Sequence, residues 1–145
     1  TPATIRTRRD EETAIDFSLD LLTGEELRLS ELQGKLVVLN FWGSWCPPCR
    51  AEMPSFESIY REYKDKGVVF VGVAVSDVES KARAFAKQVG VTYPLGLDPG
   101  NVAAAYRITA MPTTYFIDQD WNVSRKLQGP ANEGALRFFI DSRLQ

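Results

Sequence analysis

Val37-Val38-Leu39-Asn40-Phe41-Trp42-Gly43-Ser44-Trp45-Cys46-Pro47-Pro48-Cys49-Arg50 is an apolar run that ends in a Cys-X-X-Cys turn. Residues 36–41 are β-branched or apolar almost without interruption, the pattern of a strand buried on both faces in the middle of a sheet. Beyond the cysteines, Met53, Phe56, Ile59, Tyr60 and Tyr63 recur at helical spacing, which predicts a helix from Pro48 to about Lys64. Cys46 then falls where a helix begins, and Cys49 lies in its first turn. Unpaired N–H groups and the positive end of the helix dipole stabilise an anion there, so a thiol at this point ionises more readily and becomes a better nucleophile. Pro47 and Pro48 suit the site because first-turn N–H groups have no intrahelical partner to lose.

The chain has 145 residues, room for one compact domain and too few for two of ordinary size. Hydrophobic residues at 44% and charged residues at 25% are ordinary for a globular protein. A net charge of −2 and a pI near 5.2 give no basis for a nucleic-acid partner. The longest apolar runs are strand-sized and do not span a bilayer as helices. No signal peptide or lipidation site is visible, and the chain opens at Thr1 with a polar, charge-rich stretch, so a trimmed portion of a longer precursor is expected. Residues 1–13 show neither helical nor strand period and read as a tether or disordered arm, followed by a single domain over 14–145.

Two cysteines three positions apart can form a redox pair, half of a zinc site or a structural bridge. A structural zinc site needs about four ligands, and the chain has no histidine and no further cysteine. A purely structural disulfide gains most when it closes a long loop, whereas this one would close a loop of a few residues. A redox pair is the favoured reading, with no metal and no cofactor expected.

Around this centre the chain reads as an α/β domain. Ile15, Phe17 and Leu19 alternate with polar residues, as do Leu27 and Leu29 after the turn at Thr23-Gly24-Glu25, which predicts an N-terminal β-hairpin. Ser30 offers an N-cap for a short turn through Leu32. Val68–Val75 reads as a second buried strand, so strand, helix, strand implies a right-handed parallel crossover. Ser76-Asp77-Val78-Glu79 has capping-box spacing, and Val78, Ala82, Phe85, Ala86 and Val89 mark one face of a helix closed by Gly90. An extended piece over 91–97 and a short helix near Val102–Tyr106 follow. Thr113–Ile117 and Val123–Gln128 flank a short turn and read as an antiparallel hairpin, and Leu136, Phe139, Ile140 and Leu144 face a closing helix inward. The sum is a mixed sheet with helices on both faces.

Trp45-Cys46-Pro47-Pro48-Cys49 after a buried strand, Pro54 in the following helix, and Met111-Pro112-Thr113-Thr114 before the last hairpin resemble the thioredoxin superfamily over residues 14–145. Phe41-Trp42-Gly43-Ser44-Trp45-Cys46, Glu52 three residues after the second cysteine, the leading hairpin and the extra segment around 76–107 resemble the ResA/TlpA group. That resemblance implies a thioredoxin-like mixed central sheet with a central insertion, and an extracytoplasmic, usually membrane-tethered thiol-disulfide oxidoreductase, with service in cytochrome c maturation. It makes Cys46 the accessible attacking thiol and Cys49 the buried resolving one. It makes Pro112 a cis proline facing the disulfide, with the Met111 backbone able to pair with an extended substrate. Trp45, Pro47 and Pro48 would border the substrate groove. Glu52 reads either as a proton acceptor for the second cysteine or as a carboxylate favoured by the helix dipole. Asn40 departs from ordinary thioredoxins, which place Asp there, leaving Glu52 as the nearest candidate for proton transfer. Trp42 reads equally as core or as recognition surface, Trp121 as part of a turn, and Arg50 as a solvated charge. The implied partners are a protein with a cysteine pair and a membrane or soluble thiol donor, with the chain acting as a monomer.

Two rival functions share this fold. A thiol peroxidase of peroxiredoxin type resembles Pro-X-X-X-Thr/Ser-X-X-Cys at its attacking thiol, and position 39, seven before Cys46, is Leu39. A copper-handling chaperone of similar shape uses a histidine with its cysteines, leaving thiolate-only Cu(I) binding as its sole route here.

Overall fold

The computed structural model describes residues 12–144. Strand β1 (Ser18–Asp20) and β2 (Glu26–Arg28) form a hairpin, followed by β3 (Leu36–Trp42), α1 (Pro47–Tyr63), β4 (Val68–Ala74), α2 (Glu79–Val89), β5 (Leu95–Leu97) and α3 (Val102–Ala105). The chain closes with β6 (Thr113–Ile117), β7 (Val123–Gln128) and α4 (Glu133–Asp141). The main sheet runs in the order β5-β4-β3-β6-β7. β3 is parallel to β4 and antiparallel to β6, so the sheet is mixed, with β3 at its centre as the apolar run predicts. The sequence-expected arm over 1–13 lies outside the described residues except for its last two. Those two run along the second hairpin: Thr13 bridges Asn122, and the Glu12 carbonyl accepts from the Val123 N–H.

Alternation along β3 divides the interior. Leu36, Val38 and Trp42 join α1, α2 and α4 in one core, while Val37, Leu39 and Phe41 join the first hairpin and α3 in the other. Asn40 has the parity of the first set and therefore faces α1. In the second core the Tyr106 hydroxyl donates to the Ile15 carbonyl at 2.6 Å and the Tyr115 hydroxyl donates to the Tyr106 carbonyl at 2.6 Å, tying the entering chain and α3 to the sheet.

Several local expectations are corrected. Ile15 is not an inward strand position: it is 44% exposed, and the strand begins only at Ser18. Ser30 does not cap its turn; it lies inside a 3-10 helix spanning Leu29–Leu32, and its N–H donates to Asp16. The capping box at Ser76-Asp77-Val78-Glu79 does not form. Val78 is the N-cap of α2 without a side-chain bond and stands 55% exposed instead of joining the inward apolar face, and the Asp77 carboxylate is drawn away to Ser44.

The first hairpin covers the β5 edge of the sheet, a place where unpaired backbone would otherwise recruit another chain. Leu21 bridges Gly96, and the Leu22 N–H donates to the Leu95 carbonyl at 2.8 Å. The approach requires glycine: a Cβ on Gly96 would lie 2.6 Å from the Asp20 carbonyl oxygen and 2.6 Å from Leu19 Cγ. Gly96→Ala is expected to push the hairpin off this edge at a cost of about 1–3 kcal/mol, read as a lowered urea midpoint; an unchanged midpoint would show that the edge contact is slack.

Candidate active site

Helix α1 begins where β3 releases the chain. Cys46 is its N-cap in extended conformation, with Pro47 and Pro48 in the first two helical positions, and no acidic residue occupies the first turn. Cys46 and Cys49 form a disulfide with Cα atoms 5.3 Å apart, and Cys46 Sγ accepts the Cys49 N–H at 3.3 Å. A thiolate at this sulfur would inherit that donor together with the helix dipole. The expected contrast in accessibility is smaller than the sequence suggests. Cys46 is only 3% exposed and Cys49 is fully buried, whereas Trp45, at 53%, and both prolines stand out around them.

Glu52 lies one helical turn beyond Cys49 and is buried at 4% exposure. Its carboxyl accepts the Asn40 amide at 2.9 Å and the Ala131 N–H at 3.0 Å, and the same Asn40 amide donates to Thr114 Oγ1 at 3.2 Å. Burial pushes the Glu52 pKa up to about 7, against the opposing pull of the Ala131 and Asn40 hydrogen bonds. A surface carboxylate favoured by the helix dipole does not describe this residue. Asn40 belongs to the same site, bonding side chains rather than buried backbone.

The turn between β3 and α1 is clamped from the neighbouring loop. Asp77 accepts the Ser44 N–H at 2.7 Å and the Ser44 hydroxyl at 2.7 Å, and the Trp45 indole N–H donates to the Val75 carbonyl at 2.9 Å. Arg50 is exposed but not merely solvated: it donates to the Ser44 carbonyl at 3.2 Å and stacks over the Phe85 ring with its guanidinium carbon 4.2 Å from the centroid. Sequence reading missed the Asp77 clamp by assigning these residues to a cap. The signal was in the parallel register, since Trp42 pairs with Ala74, and two to three further steps bring residues 44–45 beside 76–77. Trp45 also folds over Gly43, where a Cβ would lie 2.7 Å from the indole Cε2.

The Met111–Pro112 peptide is cis, as the resemblance implied. The antiparallel register pairs Phe41 with Thr113, so Pro112 lies opposite Trp42 at the sheet end from which the cysteine turn departs. Met111 is half-buried and packs against both cores. Trp42 is entirely core, its ring 6.1 Å from that of Phe85, which decides against a recognition role. Trp121 belongs to the turn between β6 and β7, where its carbonyl accepts the Ala14 N–H. Among the described residues, no group of three His, Cys, Asp or Glu side chains is placed to hold a metal ion.

A vicinal cysteine pair at a helix start, on a mixed sheet of this order with a cis proline at the same end, defines a dithiol–disulfide oxidoreductase of thioredoxin fold. The AhpC/TSA family model matches residues 11–126. The thiol-disulfide oxidoreductase ResA of Halalkalibacterium halodurans is 39% identical over 131 residues, covering 90% of this chain and 74% of that protein. ResA of Oceanobacillus iheyensis is 41% identical over 135 residues, covering 90% and 70%. The crystal structure of a thiol:disulfide interchange protein of the thioredoxin family from Chlorobium tepidum superposes with a TM-score of 0.90 at 28% identity, covering 97% of this chain and all of that one. The chain belongs to the AhpC/TSA family and, within the thioredoxin superfamily, to the ResA-like thiol-disulfide oxidoreductases.

The raised pKa of Glu52 sets a stability trend in the oxidised protein. Because the folded pKa of about 7 lies above the ordinary value of 4.5, the folded state holds a proton that the unfolded chain has lost. The resulting stabilisation is complete below pH 4.5 and is lost as pH rises through 7. Wild type is expected to lose on the order of 1–3 kcal/mol across this window relative to Glu52→Gln. Urea unfolding from pH 4.5 to 8 measures it, and parallel profiles for the two proteins would contradict the burial argument.

Proposed function

We propose that this chain reduces disulfides in proteins outside the cytoplasm, apocytochrome c among them, and is held there by a tether N-terminal to the domain. The Cys46 thiolate attacks one sulfur of the substrate disulfide, forming a mixed disulfide and releasing the first substrate sulfur as a thiolate that takes a proton. Cys49 passes its proton to Glu52 and attacks Cys46 Sγ. The Cys46–Cys49 bond forms, and the second substrate sulfur leaves. A membrane or soluble dithiol donor then returns two electrons to the pair. Met111 and Pro112 receive the substrate backbone, while Trp45, Pro47 and Pro48 border it.

The observation that carries this reading is the Cys46–Cys49 pair at the start of α1, with the buried Glu52 carboxyl, its pKa raised to about 7, one helical turn beyond Cys49. A group titrating near neutrality can both accept a thiol proton and return it, which a surface glutamate with an ordinary pKa does poorly. The match to the AhpC/TSA model raises a peroxidase as the second reading. Its pattern needs Thr or Ser at position 43, where Gly43 lies under the Trp45 indole, so that hydroxyl could be restored only by displacing the indole.

Cys49→Ala is expected to accumulate mixed disulfides through Cys46; adducts forming instead on Cys49 in Cys46→Ala would reverse the two roles. Glu52→Gln is expected to keep attack by Cys46 and to slow the release step by about 10- to 100-fold near neutral pH, with its pH dependence near 7 abolished. Stopped-flow exchange between pH 5 and 10 reads both, and superimposable profiles would remove Glu52 from the proton path. Redox titration tests the direction of flow: a potential near that of thioredoxin, about −270 mV, is expected, and one near that of DsbA, about −120 mV, overturns the reductive reading. Peroxide consumption at the uncatalysed rate is expected from the reduced protein.

A further inference from the structure

An open groove of about 550 Å³ runs from Ser44 and Trp45 along α2 as far as Gln88. One wall is apolar. The Trp45 indole is 53% exposed with its N–H already committed to Val75, and Val78 opposite is 55% exposed, the two standing among the few large apolar side chains left in solvent. The charged part of the lining is Arg50, Lys81 and Asp77. Asp77 has spent its carboxylate on Ser44 and on the Val78 N–H at 2.8 Å. Arg50 lies over the Phe85 ring and gives one N–H to the Ser44 carbonyl, and among the described residues it makes no other side-chain hydrogen bond and Lys81 makes none. Among the described residues neither cation is in an ion pair, while the next basic residue of α2, Arg83, is neutralised by Glu79 at 2.6 Å. The groove thus offers two cationic donors beside an aromatic face, with its own carboxylate already bound.

Its place in the chain sets what lies near it. Ser44 and Trp45 immediately precede Cys46, so the groove opens beside the residue that would hold a substrate in a mixed disulfide. From this we infer that the groove is the specificity site for the residues flanking the substrate's cysteine, and that it selects an extended segment bearing an apolar side chain and a carboxylate close to the reacting cysteine. The inference rests on the reading of Cys46 as the attacking thiol. Trp45 and Val78 take the apolar side chain, and Lys81 with Arg50 takes the carboxylate. The whole chain carries a net charge of −2, which by itself disfavours an acidic substrate, so a preference for one has to arise locally.

The test uses the reduced full chain and two cyclic disulfide peptides that are identical except that Glu-Leu or Lys-Leu flanks each cysteine. The Glu peptide is expected to react about three- to tenfold faster in second-order rate at low salt, with the ratio falling toward one near 0.5 M salt. Lys81→Glu is expected to narrow or reverse the ratio, and because the ratio is internal to each protein, a general loss of activity does not imitate that result. Equal rates for the two peptides with wild type, or a ratio untouched by Lys81→Glu, overturn the groove assignment while leaving the cysteine reading intact. Reduction of neither peptide overturns the cysteine reading and this inference with it.

Discussion

A carboxyl buried on the cysteine helix is the constraint on which this site depends. Water gives up Glu52 because two segments supply part of what it loses: β3 through Asn40 and the turn before α4 through Ala131. The compensation is incomplete, and the residual penalty appears as a pKa near neutrality rather than as an ion pair. An arginine in place of Asn40 would hold the group ionised. A wholly apolar pocket would hold it protonated. Two neutral donors give the intermediate case, and the same Asn40 amide reaches Thr114 on β6, so the group's acidity is tied to the packing of the sheet's centre.

The sheet then brings the remaining parts to one end. Because β3 and β4 are parallel, both run out at the same edge, and the turns beyond them meet as Ser44 on Asp77 and Trp45 on Val75. Because β6 is antiparallel to β3, the same edge receives its start, and with it Met111 and Pro112. A sheet with β6 parallel would have sent that loop to the far end. The mixed topology is therefore a requirement of the site as well as a description of the fold.

What sequence could show follows from this division. β3 and α1 were legible because burial on both faces and helical period leave strong local signals, and Cys46 fell where those signals changed. Asn40 and Glu52 were each visible, but their pairing depends on which face of β3 meets α1, and the apolar run surrounding Asn40 hides the alternation that would tell. Ser76-Asp77-Val78-Glu79 misled because a capping box and a cross-loop clamp draw on the same residue types; only the strand register separates them. Ser76 adopts a positive φ of 50°, a conformation its sequence does not announce. Ile15 alternated correctly with Phe17 and Leu19 yet lies outside, since the aromatic cluster on Tyr106 takes its backbone rather than its side chain.

Gly43 and Trp45 show how the turn narrows the chemistry available to the pair. An exposed indole has no reason of its own to hold one orientation, and here it is fixed twice, by the Val75 carbonyl and by lying against a residue without a side chain. The hydroxyl that a peroxidase pattern places three residues before its cysteine would occupy the volume the indole now fills. Glycine at that position therefore leaves the room that the indole takes, beside the cysteine pair of a thiol-disulfide oxidoreductase.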